Sequence, residues 1–266
     1  MTAGAWRSSA TASTARSTLT QHYAGLLRLA LCLGMLVFVC LEVLANTGVL
    51  IDIDHGARTL VNAQEHPVLT AIALGADHIG QREPIAGVLL GCASTLAWYQ
   101  RTRRPVVLSV VALLAVNLVV GALKLGFGRV KPAFGNTAPF EGGMIFPSGH
   151  TANVVITWGL LAYLLITYGY LQRRRAAVWI VIGLSLAMGF ITYYLDTHWI
   201  TDIIAGWLIG GILLQALILF DTMWPPRPRR PVPTYDDFLT DEFITDEIRI
   251  PDSPAGVRTK ETSGAR

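Results

Sequence analysis

Charge is what this sequence has least of. Only 15% of its 266 residues are Asp, Glu, Lys or Arg, whereas 52% are hydrophobic. Soluble domains carry about a quarter of their residues as charges. The balance therefore excludes an ordinary soluble domain and implies an integral membrane protein in which one helical bundle takes most of the chain. Cysteine is nearly absent. Cys32, Cys40 and Cys92 all fall in apolar runs, none at ligand spacing from another, and the odd count offers no disulfide framework. Residues 1–22 contain no acidic residue at all. The net charge of +3 is too small and too unevenly spread to suggest a nucleic-acid surface.

What is present is a series of long apolar runs. Read by length and flanking charge, they give an all-α, polytopic bundle of about six membrane helices, at about 25–46, 84–99, 105–123, 148–170, 177–195 and 199–220. Residues 1–22, rich in Ala, Ser and Thr, read as a disordered cytoplasmic tail. Residues 23–222 form the six-span membrane domain, and 223–266 a disordered acidic cytoplasmic tail. Residues 47–83 mix charge with an apolar stretch too short to span, and read as an interfacial segment with one or two amphipathic helices. Gly206, Gly210 and Gly211 in the sixth run, with Ser185 and Gly189 in the fifth, suit close helix packing. In the C-terminal tail a near-repeat, Phe238-Leu-Thr-Asp-Glu then Phe243-Ile-Thr-Asp-Glu, is a candidate docking segment for a cytoplasmic partner, although such runs are more often simply solvated.

Arginine placement predicts the topology. Arg-rich ends occur in the N-terminal tail, at 101–104, at 173–175 and at 227–230. With six spans all four lie on one side, the cytoplasmic side by the positive-inside rule. Segments 47–83, 124–147 and 196–198 then lie outside. Lys124, Arg129 and Lys131 are cations on the face where the rule disfavours them, which suggests that they hold an anion.

Chemistry-bearing residues gather on that same face. Phe146-Pro147-Ser148-Gly149-His150-Thr151 opens the fourth run with helix-start residues. The free N–H groups and dipole of a helix start make an anion site. His150 stands beside it as a proton donor. His198 and Asp202 are four residues apart at the start of the sixth run. There the carboxylate can bond one imidazole nitrogen and leave the other to attack. Asp196 is read as a cap or a water-facing residue.

These three stretches resemble the motifs of the type 2 phosphatidic acid phosphatase family of membrane lipid phosphatases and acid phosphatases. Lys124-Leu-Gly-Phe-Gly-Arg129-Val-Lys131-Pro132 matches the family's Lys-x6-Arg-Pro, with Lys131 in place of arginine. Pro147-Ser148-Gly149-His150 matches the second motif completely. His198-Trp-Ile-Thr-Asp202 matches the third, Ser-Arg-x5-His-x3-Asp, but Ile191 and Thr192 stand at its Ser-Arg positions.

The resemblance implies a metal-independent phosphatase with no organic cofactor, acting on a lipid phosphate within the membrane. The substrate would be a prenyl diphosphate such as undecaprenyl diphosphate, a phosphatidic acid, or a phosphatidylglycerophosphate. It implies that Lys124, Lys131, Ser148 and Gly149 bind phosphate, that His198 becomes a phosphohistidine oriented by Asp202, and that His150 protonates the leaving oxygen. Arg129 is added to the phosphate-binding set as a substitute for the missing arginines.

Three other readings remain open at this stage. One is a phosphotransferase that passes phosphate from a prenyl diphosphate to another acceptor. A second is a degenerate, non-catalytic membrane scaffold. The third is a metal site at His150, His198 and Asp202, which the neighbouring cations oppose.

Overall fold

In the computed structural model, residues 3–58 and 66–224 are described, with side chains from residue 23 onward except that of Ile79. The described residues form eight α-helices: α1 (Ala3–Ala45), α2 (Val49–Ala57), α3 (Pro67–Asp77), α4 (Arg82–Tyr99), α5 (Arg104–Phe127), α6 (Gly149–Thr167), α7 (Arg174–Tyr194) and α8 (Ile200–Met223). Five contain stretches long and apolar enough to cross a membrane, in α1, α5, α6, α7 and α8. The sixth long helix, α4, has 18 residues, about 27 Å at 1.5 Å per residue. Its polar start and end lower its mean hydropathy, yet it packs against α5 and α6 as part of the same bundle.

Two expectations change here. Residues 3–22, read as a disordered tail, continue the helix of α1. Alanine favours helix strongly enough to extend one that is already nucleated. Gly211 has open space where a Cβ would stand, so it serves no close packing. Gly206 and Gly210 do. A Cβ on Gly206 would lie 2.5 Å from the Ser148 carbonyl oxygen, and one on Gly210 would lie 2.8 Å from that of Ala152. Small residues let α8 approach α6 this closely, as bundles in lipid require. Residues 225–266, with the acidic near-repeat, lie outside the described residues.

The core is built from stripes of period four. Leu108, Ala112, Val116 and Val120 of α5 meet Ala152, Ile156, Leu160 and Leu164 of α6, with Leu89 and Leu96 of α4 beside them. This spacing places each set on one helix ridge. Side chains on the remaining faces, such as Leu114, Leu118, Ile180 and Phe190, stay exposed and suit contact with lipid tails. Helix α8 is the hub, packed against α1, α2, α5, α6 and α7. At one end of the bundle, Arg104 Nε donates to Asp221 Oδ1, and Tyr163 donates to Asp221 Oδ2 at 2.6 Å, tying α5, α6 and α8 together.

The interfacial segment supplies two short helices, as expected. Helix α2 lies against α8, and α3 against α7. The turn His78–Gly80 that follows α3 rests on α6. Consequently the C-terminal ends of α5 and α7, the N-terminal ends of α6 and α8, and this segment all meet at the end of the bundle opposite Arg104 and Asp221.

Candidate active site

The site begins with how its loops are pinned. After Gly128 ends α5, the chain doubles back: Gly143 N–H donates to Gly128 O at 2.9 Å, and Ile145 N–H to Arg129 O at 3.2 Å. A Cβ at Gly143 would collide with Arg129 O at 2.0 Å, so only glycine fits there. Ser148 caps α6, its Oγ facing the Thr151 N–H at 3.5 Å, while its own N–H donates to Asp202 O at 2.9 Å. The Trp199 indole N–H donates to Val130 O at 3.0 Å. These bonds hold the three motif segments in one place.

His198 lies just before α8, with Trp199 as the helix cap. Asp202, in the first turn, accepts from Trp199 N–H at 3.0 Å through Oδ2. The same oxygen stands 3.4 Å from His198 Nδ1. The pairing expected from the four-residue spacing is therefore present, created by a capping carboxylate rather than by two residues on one helix face. With Nδ1 toward the carboxylate, Nε2 is the nitrogen left to react. His150, the second residue of α6, faces His198 with ring centroids 6.3 Å apart.

Lys124, in the last turn of α5, is half-buried and has no hydrogen-bond or ion-pair partner among the described residues. Its charge acts on Asp202 and on Arg82. Lys131 is exposed and likewise unpaired among the described residues. The first amides of α6, at Gly149 and His150, have no acceptor among the described residues. A Cβ at Gly149 would meet only Val120, at 3.8 Å. The absence of a side chain therefore leaves the amide open to an incoming anion. The Lys124 ammonium, the open helix-start N–H groups and the His198 imidazole thus stand at one end of the bundle, an arrangement suited to a tetrahedral oxyanion.

Arg129 does not belong to that set. It is wholly buried. Four of its N–H groups are committed: to Thr137 O (2.8 Å), Thr201 Oγ1 (2.6 Å), Asp202 Oδ1 (2.7 Å) and Asp54 Oδ2 (2.8 Å). Its guanidinium also lies over the Trp199 ring, 5.3 Å from the centroid. A buried guanidinium between two carboxylates is already neutralised and has little left to offer phosphate. The Arg129 N–H groups expected to meet phosphate are thus taken by protein acceptors, Asp202 among them.

Asp54 was not singled out in the sequence. It accepts from Thr201 N–H at 3.0 Å and Thr201 O–H at 2.6 Å, besides Arg129. Burial pushes its carboxyl above the usual range, against the opposing pull of Arg129 and the Thr201 hydrogen bonds. A small, open pocket beside His198 is lined by Asp54, Arg58, Pro132, Tyr193, Asp196, His198, Trp199 and Ile200. Asp196 is exposed, as its water-facing reading required. Arg82, at the start of α4, was also unmarked. Its charge acts on both Lys124 and His150.

Thr192 is wholly buried, and its hydroxyl donates to Met188 O (3.1 Å) and Gly189 O (3.0 Å). Its carbonyl accepts from Thr197 N–H and Oγ1. Replacing it with arginine would force a guanidinium into this packed turn. Thr192→Arg should therefore lower turnover per folded molecule on the order of tenfold or more, because an unpaired buried charge costs several kcal/mol. Assays on several lipid phosphates, after size-exclusion selection of folded protein, check this. A gain on every substrate would mean that the position had simply lost its family arginine.

An all-helical membrane bundle with a carboxylate-backed histidine facing a second histidine suits phosphoryl transfer at a membrane. The family model described as the PAP2 superfamily matches residues 105–225. The phosphatidylglycerophosphatase B of Bacillus subtilis (strain 168) is 25% identical over 190 residues, covering 70% of this chain and 92% of that protein. The crystal structure of a transmembrane PAP2-type phosphatidylglycerolphosphate phosphatase, also from Bacillus subtilis, shares the fold with a TM-score of 0.62. Its identity is 22%, over 72% of this chain and 96% of that one. Over residues 105–225 the chain is thus similar to the PAP2 superfamily, the type 2 phosphatidic acid phosphatases.

Proposed function

We propose that this membrane lipid phosphatase hydrolyses the terminal phosphate monoester of an anionic glycerophospholipid of the phosphatidylglycerophosphate type. The observation that carries the catalytic part is the His198–Asp202 pair, 3.4 Å apart and facing His150. The substrate class draws support from the activity named for the Bacillus subtilis relative, which aligns along nearly its whole length.

Lys124, Lys131, the Ser148 hydroxyl and the Gly149 amide hold the phosphoryl oxygens. His198 Nε2 attacks phosphorus, and the bond to the lipid oxygen breaks. The departing oxygen takes its electron pair and a proton from His150. Asp202 offsets the positive charge that develops on His198. In the second half, water attacks the phosphohistidine and gives its proton to His150, the N–P bond breaks, and phosphate leaves. No metal takes part.

The direct experiment is phosphate release by the purified protein from a panel containing a phosphatidylglycerophosphate, a phosphatidic acid and a prenyl diphosphate, with and without chelator. The expected result is fastest release from the phosphatidylglycerophosphate, unchanged by chelator. A marked preference for the prenyl diphosphate would overturn the substrate class. Chelator sensitivity would overturn the metal-free chemistry.

The site is placed on the extracytoplasmic face, with both termini cytoplasmic. Supporting this, Arg101, Arg103 and Arg104 and the run 173–175 cluster at the end of the bundle away from His198. A cysteine placed at exposed Glu141 should react with an impermeant thiol reagent in intact cells above the wild-type blank. One placed at exposed Gln172 should not. The reverse labelling would invert the topology.

A further inference from the structure

The sequence marks His150 as the proton donor but not what keeps it ready. Three groups around it are positive or become so: Lys124 from α5, Arg82 from α4, and His198 before α8. Each opposes a charged imidazolium, as does partial burial of the ring, whose side chain is 31% exposed. From α7 the neighbour is uncharged, because Met188 approaches the same turn. The last residue of α3 brings the one carboxylate acting on the ring among the described residues. Asp77 Oδ2 lies 3.4 Å from His150 Nε2, and its side chain is only 19% exposed. Gly80 presses the turn onto the ring: a Cβ there would lie 3.0 Å from His150 Cδ2 and 2.7 Å from Met188 Sδ. Gly80 is thus laid directly against the histidine.

We infer that Asp77 is a positioning residue for catalysis, favouring the protonated form of His150 and orienting it so that Nδ1 delivers the proton to the departing lipid oxygen. The geometry favours this nitrogen because Nε2 faces the carboxylate while Nδ1 has no partner among the described residues. His198 and His150 then form two carboxylate-backed imidazoles of opposite sense. Asp202 engages Nδ1 of the nucleophile and frees its Nε2. Asp77 engages Nε2 of the acid and frees its Nδ1. During the first step the proton passes from His150 to the lipid oxygen, leaving a neutral imidazole beside Asp77. The same neutral ring takes the proton of the attacking water in the second step.

This inference rests on the phosphatase reading above, and the test separates the two. A lipid alkoxide is a poor leaving group and needs protonation, whereas p-nitrophenolate leaves unaided. Full-length wild type, Asp77→Asn and Asp77→Glu are compared on a phosphatidylglycerophosphate and on p-nitrophenyl phosphate across pH. Asp77→Asn should lower kcat on the lipid roughly 10- to 100-fold, part of the 10²–10⁴ that general acid catalysis supplies. It should change the rate of phosphoenzyme formation from the aryl phosphate less than about threefold, since this leaving group needs little of that assistance. The alkaline limb of the lipid pH profile should move to lower pH, because an opposite charge beside His150 is gone. Asp77→Glu should recover most of the lipid rate.

Equal losses on both substrates with an unmoved pH profile would mean that Asp77 only supports the fold, and would overturn the assignment. Unchanged rates would overturn it too. Absence of turnover of both compounds by wild type would overturn the phosphatase reading, and the assignment with it.

Discussion

His198→Ala should reduce phosphate release by at least about 10³-fold, the loss expected when a nucleophile that forms a covalent intermediate is removed. Nothing else near the site replaces it. His150 has its Nε2 directed to Asp77, and Lys124 is a cation. Asp202→Asn should lower the rate by about 10²- to 10⁴-fold, as for an orienting carboxylate behind a catalytic histidine. The two variants separate by stability. Asp202 accepts from Arg129, Trp199 N–H and His198, so the asparagine leaves Arg129 less well neutralised. His198→Ala breaks only the 3.4 Å contact and should melt close to wild type. Phosphate release and thermal unfolding of both proteins in the same detergent give the comparison. A His198→Ala protein with near-wild-type release would remove the nucleophile from the mechanism.

Arg129→Ala should cause the largest loss of stability. It leaves Asp54 and Asp202 buried with their shared cation gone, and breaking a buried pair by removing one partner costs about 3–5 kcal/mol. Arg129→Lys keeps the charge but cannot reach Thr137, Thr201, Asp54 and Asp202 together, since an ammonium lacks the planar fork. The lysine variant should therefore fold less stably and lose kcat through a misplaced Asp202, with KM nearly unchanged. A phosphate-binding Arg129 gives the opposite pattern, a raised KM in a protein of normal stability. Steady-state kinetics with thermal unfolding of Arg129→Lys distinguishes them.

How far the sequence could be read depended on how far apart the partners stand. Asp202 lies four residues from His198, and Ser148 and Gly149 adjoin His150, so local spacing was enough to nominate them. The long runs disclosed the bundle for the same reason, since a membrane helix satisfies its backbone within one segment. Asp54 meets Arg129 across 75 positions, and Asp77 meets His150 through the fold alone. No periodicity records such contacts. Both acids sit in the segment whose mixed composition pointed only to the membrane interface.

The partners of Arg129 were hidden by the same limit. Its position between Lys124 and Lys131 suggests three cations for one anion, yet burial and two carboxylates give it a different task. Thr192 is the converse case. Its sequence position marks a missing arginine, while its buried, doubly bonded hydroxyl marks a packed turn.

The central claim, that phosphate passes through His198, is tested most directly by rapid acid-free quench of the protein with lipid substrate labelled with ³²P in its terminal phosphate. The account predicts a protein-bound label in wild type that is stable in base, lost in acid, and mapped by peptide analysis to His198. It should be absent from His198→Ala. A labelled intermediate at any other residue, or an equal label in His198→Ala, would contradict it.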